Sequence, residues 1–354
     1  MNAEPLKRLP ESEAAEPMVP AVDAVSDPLR RKFDRARRLI ADDLVLVNEQ
    51  IITRLQSEVS LIPQLAQHLV AAGGKRIRPM LTLLAAQLCG YQGKRQIGLA
   101  AVVEFIHTAT LLHDDVVDES DLRRGESSAN AIFGNKAPVL VGDFLFSRAF
   151  QMMVADGSLR TLEILSNASA IIAEGEVAQL VTSNDLSTDE AAYLNVIEAK
   201  TAALFEAACQ IGAVVADRPM AEESALAVYG RNLGVAFQLV DDALDYSAKQ
   251  AHLGKEIGDD FREGKITLPV IIAYAKGNAD EKAFWVRTLE RVDQAANDLD
   301  SAMALIDRHN AIDETIARAR DYGYKAQQAL SVFPISQVRR SMEDLVDFSI
   351  HRAH

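Results

Sequence analysis

Two aspartate clusters, Asp114-Asp115-Val116-Val117-Asp118 and Asp241-Asp242-Ala243-Leu244-Asp245, each close a segment that is apolar around most of its circumference. The segments run over 99–113 and 233–244. A helix that is apolar all round belongs at the centre of a bundle, not on its surface. Carboxylates at the end of such a helix repel one another and are costly to desolvate. At about 100° per residue, the first and last aspartates of each cluster share one helix face, with the middle one on the flank. A single cluster of this kind reads as a solvated helix end. Two matched clusters on two central helices instead require something cationic between them.

The rest of the chain agrees with a helical bundle. From Asp34 onward apolar residues recur with helical spacing in long segments rich in Ala, Leu, Glu and Gln. No sustained alternating pattern bounded by turn signals marks a strand. Gly73-Gly74, Gly90, Gly134, Asp156-Gly157 and Gly254 punctuate the segments, and no short-period repeat suggests a solenoid. A chain of 354 residues buries a sizeable core. The fold class expected is all-α, with a single helical domain over 29–354. Residues 1–28 carry Pro5, Pro10, Pro17, Pro20 and Pro28 among Ala, Glu and Asp, and are expected to form a disordered tail.

The formal net charge of −14 argues against nucleic acid as a partner. Lys and Arg nevertheless gather at 75–78, 123–124 and 255–265, which suits a small anion better than a polyanion. Aromatics make up 6%, so a large cavity would be lined mainly by aliphatic side chains. Cys89 and Cys209 lie in apolar helical runs without metal-ligand spacing, and are expected to be core thiols in a reducing compartment. The acidic N-terminal stretch lacks a signal pattern, and no run reaches the roughly 18 apolar residues of a membrane span. Cytoplasmic localisation follows as the expectation.

Oxygen ligands without His or Cys partners point to Mg²⁺, which binds one or two carboxylates together with substrate phosphates. The loop spacing and glycine of an EF-hand are absent. Gly73-Gly74-Lys75-Arg76-Ile77-Arg78-Pro79 places three positive charges and flexible glycines at a helix start, suited to phosphate oxygens. Arg123-Arg124-Gly125 follows the first cluster, and Lys255 and Lys265 bracket an acidic loop after the second. Together these describe a cavity with Mg²⁺–diphosphate on one side and a metal-free anion site on the other.

Six stretches carry a family resemblance: GGKRIRP (73–79), LLHDDVVDESDLRRG (111–125), GDFLFSRAF (142–150), Lys200-Thr201, FQLVDDALD (237–245) and GKEIGDDFREGKITLP (254–269). On these residues the chain resembles the trans-prenyltransferases, specifically the long-chain (E)-polyprenyl diphosphate synthases, along nearly all of its length. The resemblance implies an isoprenoid-synthase-type bundle around a central elongation cavity. It implies consecutive head-to-tail condensation of isopentenyl diphosphate onto an allylic primer such as farnesyl or geranylgeranyl diphosphate. Asp114, Asp118, Asp241 and Asp245 would bind about three Mg²⁺ ions with the diphosphate, and Asp115 and Asp242 complete the catalytic clusters. Arg123, Lys200, Thr201, Gln238, Lys255 and Lys265 match the allylic site, and Lys75, Arg78, His107 and Arg124 the isopentenyl diphosphate site. Gln238 and a backbone carbonyl near Lys200-Thr201 would face the developing cation, the departed diphosphate would take the proton, and the loop 250–266 would act as a lid. A homodimer is expected, and the product would be destined for a membrane, as a quinone side chain.

Product length would be set below Asp114. Ala109 and Thr110 are small where short-chain members of the family carry bulky aromatics. At 5.4 Å per helix turn, a deeper floor implies a product of roughly eight to ten isoprene units. Val102, Val103 and Ile106 are expected to line the channel, with Phe146, Phe150 and Met153 either joining them or filling core. Four other readings remain. A shorter-chain synthase of the geranylgeranyl type shares the same chemistry. A class I terpene cyclase would need a second motif, and Asn184 and Thr188 match it but Ala192 does not. A di-iron bundle is suggested by Glu104-x-x-His107 but lacks a second such pair. A degenerate regulatory subunit is disfavoured because both aspartate clusters are intact.

Overall fold

The computed structural model describes residues 28–71, 74–120, 122–123, 126–247 and 257–352. In chain order the helices are α1 (Pro28–Leu39), α2 (Ala41–Arg54), α3 (Leu61–Ala71), α4 (Ile77–Leu88), α5 (Arg95–Val117), α6 (Ala129–Phe133), α7 (Lys136–Asp156), α8 (Leu159–Thr182) and α9 (Glu190–Ile197). They continue with α10 (Ala203–Val215), α11 (Met220–Asp245), α12 (Asp259–Arg262), α13 (Leu268–Lys276), α14 (Ala279–Trp285), α15 (Asp298–Arg308), α16 (Ala311–Ala329) and α17 (Gln337–His351). The one departure from all-helical structure among the described residues is a two-residue antiparallel ladder, β1 (Leu122–Arg123) with β2 (Glu126–Ser127), pairing Arg123 with Glu126. Pro28 is not part of a tail; it opens α1, where its missing N–H costs nothing. Residues 1–27 of the expected tail lie outside the described residues.

The two segments singled out by their all-round apolarity are the central helices. α5 buries Leu99 through Ile106 and packs against α7, α4 and α2; α11 packs against α10 and α16. One apolar cluster runs from Phe33 to Ile350 through both. Contrary to the expectation that no segment has the makings of a membrane span, α5 and α7 are each long and apolar enough for one. In α5 the reason is interior packing, with 67% of its apolar window buried; in α7 only 44% is buried, so much of its apolar surface faces outward.

α1 and α17 are zipped together. Lys32 and Arg35 pair with Asp347 and Asp344, and Phe33 stacks on Phe348 with centroids 4.8 Å apart. This holds the last turns of α17 over the ends of α4 and α11, where the candidate site lies.

Candidate active site

The first carboxylate wall is the end of α5. Asp118 Oδ2 accepts from Lys265 Nζ at 2.9 Å, and Asp114 Oδ2 lies 3.7 Å from Lys200 Nζ. Both carboxylates therefore share a face, as their spacing dictates, while Asp115 is buried. Lys200 also donates to Glu176 on α8 at 2.6 Å, and Lys265 pairs with Glu263. Lys200 and Thr201 sit in a π-helical turn, Glu198–Ala202, between α9 and α10. Such turns insert a residue and re-aim side chains, and they recur at functional sites. Two glycines let neighbouring helices close on this turn. A Cβ at Gly175 of α8 would lie 2.9 Å from the Lys200 nitrogen, and one at Gly234 of α11 would lie 2.6 Å from Ala202 Cα.

The second wall is the end of α11, and its three aspartates have different partners. Asp241 Oδ1 pairs with Arg352 at 2.9 Å. Asp242 is buried and accepts from Tyr193 OH at 2.5 Å and from Gln238 Nε2 at 2.7 Å. Asp245 accepts the Asp260 backbone N–H at 3.0 Å, so one of its oxygens anchors the start of α12. Burial, with Asp260 as an added like charge, pushes the Asp245 carboxyl up to about 8 and the Asp242 carboxyl to about 7. Burial and Asp114 push Glu176 up to about 7 against the pull of Lys200. Burial alone would lower Lys265; Asp260, Asp118 and Glu263 outweigh it and hold the ammonium above its ordinary range.

The anion side is built on aromatics. Lys75 Nζ stands 4.8 Å over the Phe348 ring, and Arg78 lies 4.6 Å over Phe205 and donates to His107 Nε2 at 3.1 Å. Phe205 and Phe237 are in contact at 5.4 Å, and the Arg352 guanidinium lies over the Phe237 ring at 3.9 Å. A run of contacts through Phe205, Phe237 and Arg352 thus connects Arg78 to Asp241. Each cation–π contact stabilises by about 0.5–2 kcal/mol and fixes a cation without neutralising it.

Arg76 is the exception among the three cations of its motif. It takes a left-handed conformation (φ 50°) just before α4 and turns inward to pair with Glu104 on α5. It is a structural ion pair, not a phosphate ligand. Breaking it leaves a buried carboxylate, so Arg76→Ala is expected to cost about 3–5 kcal/mol in denaturant unfolding. A loss below about 1 kcal/mol would contradict this assignment. The same contacts dispose of the di-iron reading, since Glu104 is engaged by Arg76 and His107 by Arg78.

Arg124 and Lys255 lie outside the described residues, and Arg123 is placed only by its backbone in β1. Of the expected lid, residues 257–266 are described, and Gly264 O accepts from the Asn184 N–H at 3.0 Å. Asn184 is thus tied to Gly264, and Thr188 is engaged locally, its Oγ1 donating to Thr182 O. Ala109 is fully buried on α5 and Thr110 donates to His107 O at 2.8 Å. Val102, Val103, Ile106 and Met153 are buried, but Phe150 is 43% exposed and faces away from α5. It lies about 40° past Phe146 on the helix, beyond the edge of the buried face, so it is neither channel lining nor core.

Among the described residues no three His, Cys, Asp or Glu side chains converge tightly enough to hold a metal ion by themselves. The donors still fit a hard divalent cation. The carboxylates of Asp114, Asp118 and Asp241 each already sit against a cationic side chain, and a diphosphate supplies the oxygens that the protein does not. Sequence reasoning missed Arg352, Phe205, Phe237, Phe348, Glu176 and Tyr193. Phe237 opens the FQLVDDALD stretch but was given no role of its own, and the others reach the site through tertiary contacts without a local motif; Glu176 shares α8 with Arg160, Glu163 and Glu174, so its charge alone did not single it out.

The sequence model of the polyprenyl synthetase family matches residues 59–306. An octaprenyl diphosphate synthase of Haemophilus influenzae is 47% identical over 320 residues, covering 90% of this chain and 97% of that protein. The Escherichia coli octaprenyl diphosphate synthase is also 47% identical, covering 90% and 99%. The crystal structure of a polyprenyl synthase from Caulobacter crescentus, complexed with calcium and isoprenyl diphosphate, superposes with a TM-score of 0.89 at 52% identity, covering 91% of this chain and 98% of that one. A decaprenyl diphosphate synthase from Rhodobacter capsulatus gives 0.86 at 50% identity, covering 91% and 99%. With the helical fold, the paired aspartate helices and these matches in agreement, the chain belongs to the polyprenyl synthetase family.

Proposed function

We propose that the chain condenses isopentenyl diphosphate consecutively, head to tail, onto an allylic diphosphate to give a long-chain all-trans polyprenyl diphosphate. The observation that carries this reading is the meeting of two unlike anion sites at Phe237–Asp241. One is a carboxylate site with interleaved lysines, and the other is a basic site backed by aromatic rings. Lys200 and Lys265 bind the allylic diphosphate beside Asp114 and Asp118. Lys75 and Arg78, with Arg124, hold isopentenyl diphosphate in place. Asp114, Asp118, Asp241 and Asp245 would hold Mg²⁺, which when bound would supply charge neutralisation for the leaving diphosphate. The allylic C–O bond breaks with its electron pair going to the diphosphate. The isopentenyl double bond then attacks the cation, and the departed diphosphate takes the proton. Gln238 and Thr201 present oxygen dipoles to the transient positive charge.

Incubation with farnesyl diphosphate, isopentenyl diphosphate and Mg²⁺ is expected to give a product of roughly eight to ten isoprene units, given the small side chains at Ala109 and Thr110. Chromatography of the dephosphorylated product reads this directly. No consumption of isopentenyl diphosphate would overturn the reaction, and a product of about four units would favour the geranylgeranyl-type alternative. Cytoplasmic placement and a role in supplying a ubiquinone side chain belong to the same proposal; the octaprenyl and decaprenyl relatives support the chain length.

The assembly proposed is a homodimer through α7 and α8. Leu140 and Val154 on α7, and Val177, Leu180 and Val181 on α8, are each at least 60% exposed, with Phe150 beside them. Aliphatic residues gathered this way on two adjacent helices mark an interface. The double variant Leu140→Asp, Val177→Asp is expected to sediment as a monomer where the parent sediments as a dimer. A monomeric parent, or a dimer that survives both charges, rules this interface out.

A further inference from the structure

The reaction above leaves unexplained why a fully enclosed tyrosine should hold the middle aspartate of the second cluster. Tyr193 is on α9 and Asp242 on α11, both buried. The Tyr193 hydroxyl donates to Asp242 Oδ2 at 2.5 Å, and the Gln238 amide donates to Oδ1 at 2.7 Å. Gln238 Oε1 in turn accepts from Thr201 Oγ1 at 2.8 Å. Chemistry orders this chain in one direction. The amide nitrogen of Gln238 faces Asp242, whose ionised form only accepts, and its carbonyl oxygen faces the Thr201 hydroxyl. Both Asp242 oxygens are therefore taken by protein donors, whereas Asp241 is paired through Oδ1 with Arg352, directly after α17.

We infer that Tyr193 is a positioning residue for the condensation, acting through Asp242 to hold the Gln238 side chain with its carbonyl oxygen toward Thr201. This rests on the function proposed above and concerns the same site. An amide has a negative and a positive end of similar size, and packing alone does not tell them apart. Only the reversed orientation would aim N–H groups at the positive charge that develops on the allylic carbon. Asp242 selects the productive orientation, and Tyr193 fixes Asp242 at its second oxygen, so that the carboxylate cannot swing away from Gln238. A group that orients another in this way affects the transition state more than the binding of either substrate.

The test uses the full chain and steady-state condensation of farnesyl diphosphate with isopentenyl diphosphate. Tyr193→Phe keeps the ring and removes the hydroxyl. It is expected to lower kcat about tenfold while leaving both KM values nearly unchanged. The same change made on Gln238→Leu is expected to have little further effect, because the tyrosine acts through that amide. A wild-type kcat for Tyr193→Phe, or the same tenfold loss in both backgrounds, would overturn the inference. If Tyr193→Phe does not fold, Asp242→Asn carries the comparison, since it keeps the shape but no longer selects one amide orientation. It too is expected to lower kcat and to be silent on Gln238→Leu; a wild-type rate there, or an additive loss, counts against the inference. A parent chain that does not consume isopentenyl diphosphate, or a Gln238→Leu variant of undiminished rate, refutes instead the reading of the site on which the inference rests.

Discussion

Replacing Asp114 by alanine is expected to lower turnover by at least 10²–10³-fold, on the order seen when one preorganised charge-stabilising group is lost. Asp114 faces Lys200 across 3.7 Å and adds to the charge that raises Glu176. Its removal therefore relieves repulsion in the resting protein, and thermal unfolding should be unchanged or shifted slightly upward. The combination matters, since lost activity with retained stability separates a ligand from a core residue. Asp241→Ala should behave alike in turnover but differ in one respect. It releases Arg352, whose guanidinium would keep its stacking on Phe237 and its bond to the Phe237 carbonyl at 2.8 Å. Wild-type turnover in either folded variant would remove the metal assignment.

Ala109→Phe is expected to shorten the product by several isoprene units while leaving the first condensation intact. Ala109 sits five residues before Asp114 and is completely enclosed. A phenyl ring there must either fill a channel or overpack a core, and the two outcomes have different signatures. Filling a channel truncates the product at little cost to folding. Overpacking costs about 1–3 kcal/mol and leaves product length alone. Product chromatography and denaturant unfolding on one preparation decide between them.

The large features of this fold were legible because they depend on local periodicity. The all-round apolarity of 99–113 and 233–244 identified α5 and α11 as central, and the four-residue spacing put Asp114 and Asp118 on one face. Arg76 was misjudged because a charge in a motif carries no record of its direction; only the left-handed backbone turns it toward Glu104. The unlike partners of Asp241, Asp242 and Asp245 were hidden for a related reason. Their roles come from Arg352, Tyr193 and the Asp260 backbone, which are distant in sequence or not aspartate-specific. The π-helical turn at Lys200 was illegible too, since its residues are ordinary helix formers and the closeness of Gly175 and Gly234 is a tertiary fact. Phe150 shows the limit of spacing arguments, because one helical turn beyond a half-buried Phe146 was enough to cross from inside to outside.

The zipper between α1 and α17 has a consequence for how the protein comes into being. Lys32 and Asp347 are 315 positions apart, and α17 carries Phe348 with Arg352 directly after its last turn. On a ribosome, both aspartate helices emerge long before the helix that covers them. Contacts of such separation form late, after the loop-closure entropy has been met by the rest of the bundle. Until that helix has emerged the chain lacks Phe348 and Arg352, so the site cannot be complete before synthesis of the last helix is.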